Sequence, residues 1–418
     1  MLVDFTVENF GPFRDEVTLS LQSTSGKELP ENIIHDDAVD DGILGSAVIF
    51  GANASGKSYL FLALETLRGT VFQPFPANTG VLTYQPFRLD PHKKGAPTRM
   101  EIRFIVDGIL YHYLIRYDRK EILEEWLNFY PKGQKAKVFH RKKNVYEFGS
   151  NKIATGQGTI SKMTGANSAY LAVAAQMNNE ICVNAHRGII NNIIVVRGDD
   201  LNMIDNTIAF MNSDPSIKEK ILDALAASDF GITEIEGSLN RKKLTEMTGI
   251  LPPQIIGMMM ITGPQEVSER ILNLRHGVST AGLSDADKTF PYQIESKGTL
   301  KMLGLMGPVI EGLKSGRTVI IDEFGAYMHH DLCKWIVTLF KQPGNTNNAQ
   351  LLINTHNQLL MDLSIFRRDQ MFFTEKDRES GASDLYSLHD FNIRKEFNVQ
   401  KNYEIGRFGA VPRMKELR

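Results

Sequence analysis

The run Ala47-Val48-Ile49-Phe50-Gly51-Ala52-Asn53-Ala54-Ser55-Gly56-Lys57-Ser58 carries the fold assignment. Its first four residues are uninterruptedly apolar, the pattern of a strand covered on both faces. The next eight fit G-x-x-x-x-G-K-[ST] at every defined position. Beyond them Leu60, Phe61, Leu64 and Leu67 recur at helical spacing. Strand, glycine-bearing loop and helix therefore follow without a gap. Backbone N–H groups must wrap a β-phosphate here, and side chains at the glycine positions would obstruct that approach. Lys57 can reach the β- and γ-oxygens, and the Ser58 hydroxyl can ligate Mg²⁺. Residues 51–58 thus form the candidate binding loop for ATP or GTP.

Two later strand-like runs end in polar groups. Thr318-Val-Ile-Ile321 leads into Asp322-Glu323. Ligands of open α/β sheets collect beyond the carboxyl ends of the strands, so Asp322 falls where Mg²⁺ is held and Glu323 where an attacking water is polarised. A surface acidic pair closing a strand is the plainer alternative. Leu351-Leu-Ile-Asn-Thr-His356 ends the next strand in a histidine, which a neighbouring strand end brings towards a γ-phosphate. Upstream, Glu295-Ser296-Lys297-Gly298-Thr299 opens a helix whose serine hydroxyl and free N–H groups suit an anion. A simple capping box fits those residues equally. Pro308 is expected to kink this helix or end it early.

The rest of the 418 residues divides by pattern. Residues 2–21 read as a hairpin about Gly11-Pro12, and MEIRFIVDGILYHYLIRYD (100–118) as two strands around Asp107-Gly108. From about 160 to 240 the pattern is helical, and 249–262 is rich in Met, Ile and Pro. The expected organisation is a lobe at 1–150 with an antiparallel extension, an inserted and mainly helical subdomain at 151–270, and a second lobe at 271–418. No heptad array predicts a long coiled-coil arm. The formal charge of −2, from 47 basic and 49 acidic residues, supplies no global field towards DNA or anionic lipid. One basic cluster, Lys132, Lys135, Lys137, His140, Arg141, Lys142 and Lys143 with Tyr130 and Phe139, suits a phosphate backbone or, more plainly, a solvated sheet edge. Without an eighteen-residue apolar run or a basic leader, the expectation is a cytoplasmic protein with no membrane partner. Cys182 and Cys333 lack metal or disulfide spacing and are expected to be buried thiols.

Taken in order, the phosphate loop at 51–58, SKGT at 296–299, IIDE at 320–323 and NTH at 354–356 resemble the ABC/SMC-type ATPases. That resemblance implies an α/β P-loop core working as a dimer or higher homo-oligomer, with ATP and Mg²⁺ as ligands. In such ATPases the signature serine and glycine, here Ser296 and Gly298, act across the dimer, and the terminal histidine, here His356, senses the γ-phosphate. Glu323 takes the role of catalytic carboxylate, and Gln85 that of the Q-loop residue beside the metal. The signature departs from SGGQ, and Asp331 in FGAYMHHDL (324–332) is the D-loop equivalent. FTVENFGPFRDEVTLS (5–20) is similar to the opening of SMC-like and OLD-like ATPases. YQPFRLD (84–90), LRHG (274–277), TEKD (374–377) and IGRFGAVP (405–412) resemble the RloA-type group of bacterial AAA proteins. That group is often encoded beside a nuclease-like effector and linked with antiphage defence. It implies a sensor or scaffold controlling a separate effector protein; an SMC-like DNA clamp and a transporter ATPase subunit are the alternatives. The chain after His356 is too short for the TOPRIM domain of OLD proteins, so nuclease activity is expected elsewhere.

Overall fold

The computed structural model describes residues 1–72, 74, 82–150, 156–197, 202–228, 230–243, 266–278, 282–391, 393 and 397–411. Six strands form the sheet that carries the phosphate loop. In spatial order they are β11 (Ile193–Val196), β15 (Thr318–Ile321), β16 (Gln350–Asn354), β5 (Ser46–Gly51), β17 (Met371–Lys376) and β18 (Ser383–Ser387). The first five run parallel and β18 returns antiparallel. Every residue of β5, β15 and β16 is buried, which is why these strands read as unbroken apolar runs. Because β16 lies between β5 and β15, the Asn354-Thr355-His356 end falls between the phosphate loop and the Asp322-Glu323 end.

A second, fully antiparallel sheet has the order β10 (Val145–Phe148), β9 (Ala136–Lys142), β8 (Ile122–Tyr130), β7 (Ile109–Tyr117), β6 (Thr98–Val106), β1 (Leu2–Glu8) and β2 (Val17–Ser20). Asp107 and Gly108 turn β6 into β7 with φ of 50° and 71°, as a two-residue hairpin of primed type requires. A small ribbon, β3 (Ile33–Ile34) with β4 (Ile43–Leu44), follows β2. Four helices pack with these sheets: α1 (Lys57–Phe72), α2 (Gln157–Met163), α3 (Tyr170–Gln176) and α4 (Glu180–Ile190). One apolar cluster joins Phe5, Leu60, Leu64, Leu67, Tyr113, Ile189, Ile320 and Leu352. A buried peg also joins the sheets: Gln350 accepts from Leu2 N at 2.6 Å and from Thr318 Oγ1 at 2.9 Å, and donates to the Leu2 and Leu44 carbonyls at 2.9 and 3.2 Å.

The chain divides into two compact units, Met1–Gly198 with Gly312–Arg418, and Asp199–Glu311. These bounds differ from the expected 151 and 270. The helices of 157–190 belong to the first unit, because the chain then enters β11, an edge strand of its central sheet. The second unit holds α5 (Asn202–Ser213), α6 (Pro215–Ala227) and a sheet of β12 (Ile232–Lys243), β13 (Glu266–His276) and β14 (Thr289–Pro291). The helical reading thus fails after Ala227. An irregularity of the β12–β13 pairing between Ile232 and Glu234 leaves Ile232 and Ile235 both buried, a spacing of three that imitates a helix. The stretch 249–262 lies outside the described residues.

Helix α7 (Lys297–Ser315) runs through Pro308, so the early end that the proline allowed does not occur. Proline removes the N–H that would bond the Gly304 carbonyl. The buried Thr207 hydroxyl of α5 supplies the missing donor, 3.0 Å from Gly304 O and 3.3 Å from Leu303 O. Gly307 permits that approach, since a Cβ there would lie 2.3 Å from Thr207 Oγ1. Two further helices, α8 (His330–Thr338) and α9 (Val399–Glu404), belong to the first unit. Cys182 and Cys333 are both free and buried.

Candidate functional site

The phosphate loop leaves β5 at Gly51, whose φ of 155° and close neighbours both demand glycine: a Cβ there would lie 2.5 Å from the Thr374 carbonyl oxygen. Gly56, at φ 112°, is hemmed by Pro12, Phe13 and Ser383, so the N-terminal turn and β18 close on the loop from outside. Ala54 takes φ 60°, a left-handed conformation that costs a non-glycine residue energy unless its surroundings hold it.

Two strand ends, those of β15 and β16, converge on this loop through a set of hydrogen bonds. Ser58 Oγ donates to Asp322 Oδ1 at 2.8 Å. The Asn354 amide donates to the same carboxylate oxygen, and its own Oδ1 accepts from the Glu323 backbone N–H at 2.7 Å. One side chain thus aligns both acidic positions. Glu323 itself is exposed with φ 54°, so the chain turns sharply out of β15 at that carboxylate. Thr355 fixes the neighbouring turn, its hydroxyl donating to the Phe324 carbonyl at 2.6 Å.

Lys57 is buried and donates to the Gly51 and Ala52 carbonyls at 2.8 and 3.0 Å. Burial pushes its ammonium down to about 8, against the pull of Asp322 and Glu323. Partial burial and then the Lys57 charge lower His356 from the ordinary histidine value, despite the same two carboxylates, which favours the uncharged ring.

A cleft of about 940 Å³ is lined by Asn53–Ser58, Gln85, Glu323, Asn354 and His356 together with Gly11, Pro12 and Lys376. A second cavity, about 1160 Å³, borders the other flank of the loop at Gly51–Asn53 and Ser55. The structure therefore brings the loop, Gln85, Asp322, Glu323 and His356 to one place. Gln85 is also tied there by its carbonyl, which accepts from Gly11 N at 2.7 Å. Every residue lining the cleft belongs to the first unit, whereas Ser296 and Gly298 belong to the second. Ser296 Oγ accepts from Thr299 N at 3.1 Å and pairs with its hydroxyl at 2.8 Å, the arrangement of a helix cap.

Among the described residues no group of three or more His, Cys, Asp or Glu is placed to hold a metal ion. The Ser58 hydroxyl beside the Asp322 carboxylate nevertheless fits Mg²⁺, which takes hard oxygen donors, retains water and needs few protein ligands. Asn354 and Thr374 were missed as site residues by sequence reasoning; the NTH and TEKD motifs contain them without signalling what they bond.

The basic cluster is largely spoken for. Arg141 is fully buried, 3.4 Å from the Glu125 carboxylate and donating to the Ser168 carbonyl at 2.7 Å. Phe139 is also in the core. His140, Lys137 and Lys143 bond Glu124, Glu147 and Glu121 at 2.8, 2.9 and 2.9 Å. Lys132, Lys135 and Lys142 are exposed, as are Lys137 and Lys143 in their surface pairs, the arrangement of a solvated sheet edge. Among the described residues no helix is long and apolar enough to cross a membrane.

Comparison with solved structures finds likeness to three SMC heads. The SMC head domain from Thermotoga maritima shares 12% identity at TM-score 0.41, over 92% of this chain and 98% of that one. An SmcHead bound to the C-winged helix domain of ScpA gives 12%, 0.45, 92% and 97%. The Smc head domain with an extended coiled coil bound to the C-terminal domain of ScpA, derived from Pyrococcus furiosus, gives 11%, 0.40, 97% and 98%. No curated protein matches the chain. The family profile described as "AAA domain, putative AbiEii toxin, Type IV TA system" matches residues 46–362. That span runs from β5 through the phosphate loop, Asp322-Glu323 and His356, the parts that build the cleft, and it covers most of the sequence; the chain belongs to this family of AAA-type P-loop ATPase domains.

Proposed function

We propose that the chain binds ATP with Mg²⁺ at Gly51–Ser58 and hydrolyses it, and that this cycle controls a separate effector protein. The observation that carries the enzymatic reading is the hydrogen-bonded set Ser58–Asp322–Asn354–Glu323, which holds a hydroxyl and two acidic positions at one phosphate loop. In this reading the loop N–H groups and Lys57 bind the β- and γ-phosphates. Ser58 and Asp322, with Gln85 lining the same cleft, would hold Mg²⁺, which would supply positive charge against the phosphate oxygens. Glu323 accepts a hydrogen bond from the attacking water and orients it in line with the γ-phosphorus. The neutral His356 ring donates a hydrogen bond to a γ-oxygen. Ser296 and Gly298 of a second copy complete the site in a homo-oligomer.

The biological setting we infer is a bacterial antiphage defence module, with this chain as ATP-dependent sensor or scaffold of a nuclease-like effector encoded separately. Support comes from the motif resemblance to RloA-type proteins and from the family's description as a putative toxin of a type IV system. ATP closure controls a partner only if the two states bind it differently.

The test is direct. Lys57→Ala is expected to abolish ATP binding, and Glu323→Gln to keep binding while turnover falls about 100-fold. Equal turnover in wild type and Glu323→Gln would remove the carboxylate from its role. Purification of Glu323→Gln with ATP from the native host is expected to recover the effector; recovery of the ATPase alone in every nucleotide state overturns the setting.

A further inference from the structure

The TEKD segment at 374–377 has no role in the chemistry above, yet it begins against the phosphate loop. Thr374 closes the parallel pairing of β17 with β5, directly opposite Gly51. Its side chain is fully buried, and its hydroxyl lies 2.6 Å from the hydroxyl of Ser55, which is 2% exposed. The same Thr374 oxygen donates to the Phe50 carbonyl at 3.4 Å. With that direction fixed, Ser55 donates to Thr374, and every hydroxyl in the set is satisfied. Phe50 is the last residue before the loop and Ser55 lies on its far limb. One side chain from a neighbouring strand therefore bridges the two ends of the loop.

We propose that Thr374 is a positioning residue for phosphate binding: its hydroxyl, through Ser55 and Phe50, holds the loop in the form that presents its N–H groups to a phosphate. Two further observations point the same way. Ala54, immediately before Ser55, sits in the left-handed region at φ 60° without being glycine, a conformation that persists only where neighbours over-determine it. Across the β17–β18 hairpin, Ser383 stands 3.2 Å from the Cβ position of Gly56, so this hairpin backs the loop at both of its limbs. An empty loop has no phosphate to organise its N–H groups, and the tether does that work beforehand. The role is preorganisation, which raises affinity for the ligand without touching it. It rests on the reading of the cleft as a nucleotide site, and the experiment separates the two.

Amide hydrogen exchange of the nucleotide-free protein is compared for wild type, Thr374→Val, Thr374→Ser and Ser55→Ala, alongside ATP affinity and turnover. Thr374→Val keeps the volume and removes the hydroxyl. Exchange across 51–57 is expected to quicken about tenfold while β15 and β16 stay unchanged, the ATP dissociation constant to rise about tenfold, and kcat to change less than about twofold. Thr374→Ser restores wild-type behaviour. Ser55→Ala reproduces the Thr374→Val effect from the loop side, and the double variant is no worse than either alone, because both remove one tether. Wild-type loop exchange in both Thr374→Val and Ser55→Ala overturns the proposal. If the wild type binds no ATP while Thr374→Val and Ser55→Ala still show quickened loop exchange, the nucleotide reading falls and the tether stands.

Discussion

Lys57 is a buried cation held by two neutral carbonyls, with the acidic pair close enough to pull on it. Its ordinary value is near 10.5, and burial brings it to about 8 in the free protein. A polyphosphate at the loop favours the charged form and raises that value again. Binding therefore takes up a proton once the free lysine is neutral. Affinity for ATP is expected to be full below about pH 8 and to weaken as pH rises through it, by up to about tenfold per pH unit. Affinities measured by calorimetry from about pH 7 to pH 10 in two buffers of different ionisation heat check both the slope and the proton uptake. Flat affinity across that range would show that Lys57 stays charged when free. This lysine was legible in the sequence because everything that defines it lies within eight residues. Asn354 and Thr374 were not, since their meaning comes from partners 32 and 319 positions away. Arg141 misled for the same reason: a basic residue among lysines looks solvated until Glu125, on the next strand, is seen to bury it.

Among the elements, α7 shows how a local rule yields to a partner. Proline inside a helix leaves a carbonyl without a donor, and from sequence alone a break is expected there. The donor comes from Thr207, almost a hundred residues upstream. Thr207→Val keeps the shape and leaves the Gly304 carbonyl buried and unpaired, a loss of about 1–3 kcal/mol in denaturant unfolding. In a Pro308→Ala background the helix can bond its own carbonyl, and the same substitution is expected to cost less. Equal losses in both backgrounds would mean that Thr207 acts by packing alone. The strand β12 was hidden by a similar accident, its pairing irregularity spacing two buried isoleucines as a helix would. The parallel strands were legible because burial on both faces writes itself as an unbroken apolar run.

For the whole molecule, one amide adds a polar link to the apolar cluster that joins the two sheets. Gln350 begins β16 and bonds both the N–H and the carbonyl of Leu2, in the antiparallel sheet. Gln350→Leu removes four hydrogen bonds at a fully buried position and is expected to destabilise the chain by about 3 kcal/mol, read as a lowered urea midpoint. A midpoint within error of wild type would make the peg incidental. The domain limits were not legible, because the first unit takes in the helices before β11 and its return at Gly312 falls inside α7, where nothing local marks a change of unit. The placement of β5 has a consequence in time. It is paired on both edges, by β16 and β17, and buried throughout. Amides so placed exchange only when the domain opens as a whole, on a scale of about seconds to days, whereas a loop rearranges in about nanoseconds to microseconds. The phosphate loop thus stands on a floor that is still for many orders of magnitude longer than the loop itself. Any clock set by this site runs in the loop and its neighbours, and the strand beneath keeps no memory of each tick.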